Sequence, residues 1–252
     1  MFNWNKKEKP LLGLQGSGGG LGFLTKSSSV PSDPSLPSSA VFYASGEDFN
    51  DRGPNSYTIT KVGSSFSAGS STSKSGNGSF NFDGGNADQY FYAGSNVFLN
   101  DSLSSWQFQC WVQYTNTSGN AGNSSGDMGI IIDQYDSSDP GRFLFGFQED
   151  YLVARQPGGT VQLTSGVLSN QTWYHVMINW NGSRHRLFVD GSLVDSTTGA
   201  PAMCTSKRTE FGGGSLLSGS YNLHGYMEHV LVEQGGTVKT SNFTPNNNGF
   251  VT

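Results

Sequence analysis

From residue 40 onward the apolar side chains recur at every second position, in short runs cut by turn-forming residues. The clearest run is Trp106-Gln107-Phe108-Gln109-Cys110-Trp111-Val112-Gln113-Tyr114, apolar at every even position. A period of two belongs to an extended strand with one face on a core, because successive side chains point to opposite sides. The same pattern predicts strands near residues 40–45, 56–62, 79–83, 89–92, 106–114, 129–134, 142–148, 151–156, 172–180, 185–190, 209–212 and 225–233. Asp83-Gly84-Gly85, Asn181-Gly182, Asp190-Gly191 and Gly212-Gly213-Gly214 lie between them and supply the positive φ angles of tight hairpins. So many short strands in one stretch predict a single β-sandwich rather than two domains.

Composition agrees. Glycine takes 35 of 252 positions, charged residues are 13% and helix-building stretches are nearly absent, which disfavours bundles and coiled coils. Aromatic residues at 13% are too many for a disordered chain. Nowhere do about 18 apolar residues run together, so no helical membrane span is expected. A net charge of −5 gives no reason to expect a nucleic-acid partner.

Residues 1–39 form a different zone. Gly16 to Gly22 is a glycine tract, followed by Ser27–Ser29 and by Pro31, Pro34 and Pro37. This reads as a flexible and then extended arm. Lys6, Lys7, Lys9 and Lys26 outnumber Glu8 and Asp33 there, so a mildly basic arm precedes an acidic body. Its apolar stretch breaks at Gly13, Gln15 and Gly16, too early for a signal-peptide core, and the expectation is synthesis in a cytoplasm without export. The expected organisation is an anchoring arm at 1–39, a sandwich at 40–245 and a tail at 246–252. Cys110 is expected in the core and Cys204 in a loop, both as free thiols, although two cysteines leave a disulfide open.

Several markers occur in a fixed order. They are Ser79-Phe80-Asn81-Phe82-Asp83-Gly84, the aromatic strand 106–114, Trp173-Tyr174-His175-Val176, Leu187-Phe188-Val189-Asp190-Gly191, Phe211-Gly212, Leu223-His224-Gly225-Tyr226 and Asn242-Phe243-Thr244-Pro245. This set resembles the laminin-G-like, concanavalin A-like jelly rolls. The resemblance implies an all-β, two-sheet antiparallel sandwich. The arm, with Lys9-Pro10-Leu11-Leu12-Gly13-Leu14 and its glycine tract, resembles the leaders of phage virion proteins. Arm and body together resemble phage structural proteins such as capsid decorations, head fibres and tail-fibre components.

Catalytic patterns are not found. Glycosidases of this fold carry paired carboxylates on one strand face, whereas Glu149 and Asp150 are adjacent, and Glu228 and Glu233 are five apart, so each pair is expected on opposite faces. No nucleophile elbow is present, and the glycine tract lacks the lysine and hydroxyl of a phosphate loop. His175, beside Trp173 on a strand, reads as a hydrogen-bonded packing residue. No cofactor is expected. Asp133, Asp136 and Asp139 cluster in one loop and suit calcium, which the resemblance places at the sandwich rim; the alternative is a plain polar turn.

Two functions follow. In the first, the protein is a non-enzymatic virion component, a capsid decoration whose arm docks on other virion proteins through Phe2, Trp4, Leu11, Leu12, Leu14, Leu21, Phe23 and Leu24. The second is a carbohydrate-binding, receptor-recognition module of a tail fibre or adhesin, meeting host glycans through exposed aromatics among Tyr92, Tyr135 and Tyr151. In Tyr90-Phe91-Tyr92 one ring must face away from the other two, so one is expected outside. A homo-oligomer is compatible with either.

Overall fold

A computed structural model describes residues 35–85, 88–115, 128–135, 142–155, 161–198, 207–215 and 221–246; for residues 135, 142, 161 and 162 the backbone alone is described. The strands are β1 (Ala40–Ala44), β2 (Ile59–Val62), β3 (Phe80–Asp83), β4 (Tyr90–Ala93), β5 (Trp106–Tyr114), β6 (Gly129–Tyr135), β7 (Arg142–Gln148), β8 (Tyr151–Arg155), β9 (Val161–Val167), β10 (Trp173–Trp180), β11 (His185–Val189), β12 (Ser192–Thr197), β13 (Glu210–Phe211) and β14 (His224–Gln234). The first sheet runs β1-β14-β5-β10-β11-β12, with β3 also on β14, and the second runs β2-β4-β13-β6-β7-β8-β9. Together they make a two-sheet antiparallel jelly-roll sandwich, the architecture expected. β9 and β12 are additional to the strands read from the sequence. Among the described residues no helix is long and apolar enough to cross a membrane.

The core between the sheets is aromatic. Phe211 stacks on Phe42 at 5.4 Å and on Phe91 at 5.2 Å, and Phe91 meets Phe80 at 4.6 Å. All four rings are fully buried, each contributing on the order of 2–3 kcal/mol of burial. Cys110 lies in this core as a free thiol, and Cys204 is outside the described residues. Asp190-Gly191 makes the β11–β12 hairpin with φ of 48° and 75°, the paired positive angles of a type I′ turn. β14 meets β5 so closely that a Cβ on Gly225, at φ 146°, would stand 2.0 Å from the carbonyl oxygen of Gln113.

One expected parity is reversed. Glu228 pairs with Trp111 and Leu231 with Gln109, so β14 carries an extra residue between them. His229 takes φ 53° inside this bulge. The bulge shifts the alternation by one, which puts Glu228 and Glu233 on the same outer face of the first sheet.

That outer face is closed over. Lys239 N–H donates to Gln107 Oε1, Asn179 Nδ2 donates to the Lys239 carbonyl, and Trp111 Nε1 donates to the Asn246 carbonyl. Phe243 packs on Phe188 and edge-on to His175. Residues 236–246 thus strap the sheet, and β5 is buried on both faces except at Gln113. Under the strap, Gln107 and Gln109 donate to Glu233 Oε2 at 2.7 and 3.2 Å, and Ser39 Oγ donates to Glu233 Oε1 at 2.8 Å. Burial without a charged neighbour drives His175 down to about 3, so the ring is neutral and its Nε2 meets Gln109 Oε1 at 3.1 Å. It is a packing residue, as its setting beside Trp173 predicted.

Candidate functional site

The outer face of the second sheet is built by simple alternation. Phe143, Phe145, Phe147, Leu152 and Ala154 point into the core, so their neighbours in β7 and β8 point out. Ile130, Leu144 and Val153 form a small apolar strip there, with Met128 and Tyr221 against it. On either side of the strip lie two different chemistries.

Toward β4 the face is ionic. Tyr92, Glu210 and Asp133 stand opposite one another in a row across β4, β13 and β6. Lys207 Nζ lies 3.3 Å from Asp133 Oδ2 and 3.2 Å from Glu210 Oε2. Arg208 reaches Glu210 Oε1 at 2.9 Å, and its guanidinium carbon sits 3.6 Å over the Tyr92 ring. Ser215 N–H donates to Glu210 Oε2 at 2.7 Å. Both carboxylates are fully buried, and the Gly214 backbone lies so near that a Cβ would be 1.9 Å from Asp133 Oδ2.

Strand pairing therefore brings two carboxylates side by side, a juxtaposition that a search along single strands misses. Here, however, they face two cations and a backbone cover, with no open side for a sugar or an attacking water. Asp133, expected as a calcium ligand, pairs through Oδ2 with the Lys207 ammonium, while Asp136 and Asp139 lie outside the described residues. Among the described residues no three His, Cys, Asp or Glu side chains gather to hold a metal ion.

Tyr92 is half-buried with one ring face capped by Arg208, and Phe91 is the member of its triplet that turns into the core. For Tyr135, at the end of β6, only the backbone is described. The arm residues Phe2, Trp4, Leu11, Leu12, Leu14, Leu21, Phe23 and Leu24 are outside the described residues.

Toward the β7–β8 hairpin the face opens into a cleft of about 360 Å³, lined by Gln148, Glu149, Tyr151, Val153 and Thr164. This volume is within the roughly 300–1,000 Å³ range of small-ligand sites. Gln148 pairs with Tyr151 across a two-residue turn, Glu149-Asp150, in which Glu149 takes φ 53°. The two turn carboxylates part company. Asp150 is tied inward: Tyr114 Oη donates to its Oδ1 at 3.0 Å, and Leu168 N–H donates to its carbonyl at 2.8 Å. Tyr114 is itself stacked on Phe147 at 4.0 Å, and burial together with Asp150 pushes its hydroxyl pKa upward. Glu149 is exposed at the cleft.

The far wall comes from a second bulge. Tyr151 pairs with Val167 and Val153 with Thr164, so β9 has one residue more than β8 over this stretch. Ser165 Oγ accepts from Leu152 N–H at 2.9 Å within the bulge. Bulges next to sites re-aim side chains in this way. Tyr151 is 39% exposed, while Val153 is buried beneath it as a floor. An exposed aromatic face beside an amide, a hydroxyl and a carboxylate suits a ligand with an apolar face and hydroxyl edges.

Tyr151 was among the aromatics read from the sequence. Gln148 and Thr164 were not, and Glu149 was weighed only as half of a carboxylate pair with Asp150, although a polar two-residue turn next to an aromatic was a usable signal for Gln148 and Glu149. Thr164 gave none, because the bulge breaks the alternation of β9.

Over residues 83–235 the sequence matches the family described as the Concanavalin A-like lectin/glucanases superfamily. No curated protein sequence matches the chain. Three solved structures illustrate the likeness. The binding domain of Paraclostridial Mosquitocidal Protein 1 is 14% identical with TM-score 0.57, over 78% of this chain and 49% of that one. The Botulinum neurotoxin serotype D binding domain is 12% identical with TM-score 0.56, over 79% and 48%. Domain 4 of AbnA, an extracellular arabinanase from Geobacillus stearothermophilus solved with arabinotriose, is 12% identical with TM-score 0.54, over 78% and 92%. The chain spans about half the length of the two toxin domains. At these identities the likeness is one of fold.

Proposed function

The chain belongs to the concanavalin A-like lectin/glucanases superfamily, and on that premise we propose that it is a non-catalytic carbohydrate-binding module that recognises glycans in the cleft beside Tyr151. The observation that carries the reading is the exposed Tyr151 ring on a cleft of about 360 Å³, with Gln148, Glu149 and Thr164 around it. A pyranose or furanose has an apolar C–H face that covers an aromatic ring, and hydroxyl edges that need donors and acceptors. The fold relatives support it: two are binding domains of toxins and one was solved with a bound arabinose oligomer. The non-catalytic part rests on the carboxylates. Asp133 and Glu210 are sealed by Lys207 and Arg208, and among the described residues Glu149 is the one carboxylate that lines the cleft.

The reading in which residues 1–39 anchor the protein on a capsid or tail, with a virion as its location, rests on the arm's sequence alone. Receptor or glycan recognition has the support of the described face and is preferred.

The test is a glycan panel with the full chain, followed by titration calorimetry on the best oligosaccharide. Tyr151→Ala is expected to weaken binding at least about tenfold, equivalent to ~1.4 kcal/mol, with the melting curve unchanged. Binding that survives this substitution, or a panel with no binder, refutes the proposal.

A further inference from the structure

Resting on that glycan-binding reading, we propose that the cleft selects uncharged sugars and rejects those bearing a carboxylate or sulfate. Among the described residues that line the cleft, Glu149 is the one carboxylate, and none is a lysine, arginine or histidine. Among the described residues no cation pairs with Glu149, in contrast to Asp133 and Glu210 on the same sheet. Its left-handed backbone in a two-residue turn fixes where the side chain leaves the chain.

Two further carboxylates stand behind the lining. Asp150 completes the turn, and Asp195 Oδ2 accepts from the Thr164 N–H at 2.9 Å. The cation on β8, Arg155, is four residues from Tyr151, about 13 Å along an extended strand. Among the described lining residues, an incoming anion therefore meets the Glu149 carboxylate and no side chain of opposite sign.

The same carboxylate favours neutral sugars. Ionised, it is acceptor-only and takes charge-assisted hydrogen bonds from vicinal hydroxyls. Gln148 adds an amide, and Thr164 Oγ1, which donates to the Ser165 carbonyl at 3.1 Å, adds an acceptor. A second negative charge held a few ångström from Glu149 at a solvent-facing site weakens binding by about fivefold or more.

The experiment uses matched pairs, a set of neutral oligosaccharides each beside its sialylated or sulfated form, with the full chain at low and high salt. The expected result is binding of the neutral member, at least about fivefold weaker binding of the anionic one, and a gap that narrows with salt. Glu149→Gln is expected to close most of the gap, and Glu149→Lys to reverse it. Equal or tighter binding of the anionic member by the wild type overturns the inference, as does a gap unchanged in Glu149→Gln. If neutral binding is lost in Tyr151→Ala while the paired affinities are equal, selectivity falls and the glycan-binding reading stands. If no member of any pair binds, both fall.

Discussion

Glu228 gives a pH-dependent stability that can be worked out from its surroundings. Its side chain is fully buried on the outer face of the first sheet, across from Trp111. Ser75 N–H donates to Oε1 at 2.8 Å, whereas Oε2 is buried without a hydrogen-bond partner. Lys74, whose ammonium lies 4.9 Å over the Trp111 ring, is the nearby cation. Burial outweighs these and pushes the carboxyl from its ordinary 4.5 up to about 7. Below pH 4.5 the group is protonated in both folded and unfolded chains, and no penalty arises. Between 4.5 and 7 the unfolded chain ionises while the folded one holds its proton, so stability falls as pH rises and levels off above 7. At 1.36 kcal/mol per pH unit the loss approaches about 3 kcal/mol. Glu228→Gln keeps an acceptor for Ser75 and cannot ionise. Urea unfolding of both proteins from pH 4 to 8.5 cancels every titration that they share. The variant is expected to gain on the wild type by ~3 kcal/mol across that range. Curves that stay parallel within about 0.5 kcal/mol refute the account of a carboxyl starved of solvation.

Two more outcomes follow from the packing. Lys207→Met removes the ammonium that Asp133 and Glu210 share, and breaking a buried pair of this kind is expected to cost about 3 kcal/mol in urea unfolding; a loss below about 1 kcal/mol would show the cluster to be solvated. Gly225→Ala drives a Cβ to within 2.0 Å of the Gln113 carbonyl at a φ of 146°, and is expected to destabilise by at least about 2 kcal/mol, read as a lowered melting temperature.

What the sequence disclosed and what it hid differ for physical reasons. The alternation of Trp106 to Tyr114 set Cys110 in the core, and Asp190-Gly191 marked its turn, because both signals are local. The burial of Gln107 and Gln109 was invisible, since it depends on residues 236–246 returning across the sheet. The parity of Glu228 and Glu233 failed at His229, where one left-handed residue inverts every later position. β9 was missed because its bulge interrupts the period, and β12 because it is an edge strand with its first three side chains exposed. Asp133 and Glu210 meet only through β6–β13 pairing, a non-local contact that composition cannot reveal. Tyr151 could be found as an aromatic; that it overlooks a cleft depends on the bulge opposite it.

The strap on the first sheet also fixes where the two described ends of the sandwich lie. Leu36 packs with Tyr43 and Leu231, and Asn246 receives the Trp111 indole, so the described chain enters and leaves on the outer side of that sheet. The cleft opens on the outer side of the other sheet, with the two-layer core between, about 10 Å of packed side chains. A load applied at Leu36 or Asn246 therefore enters the sandwich on the side opposite the cleft.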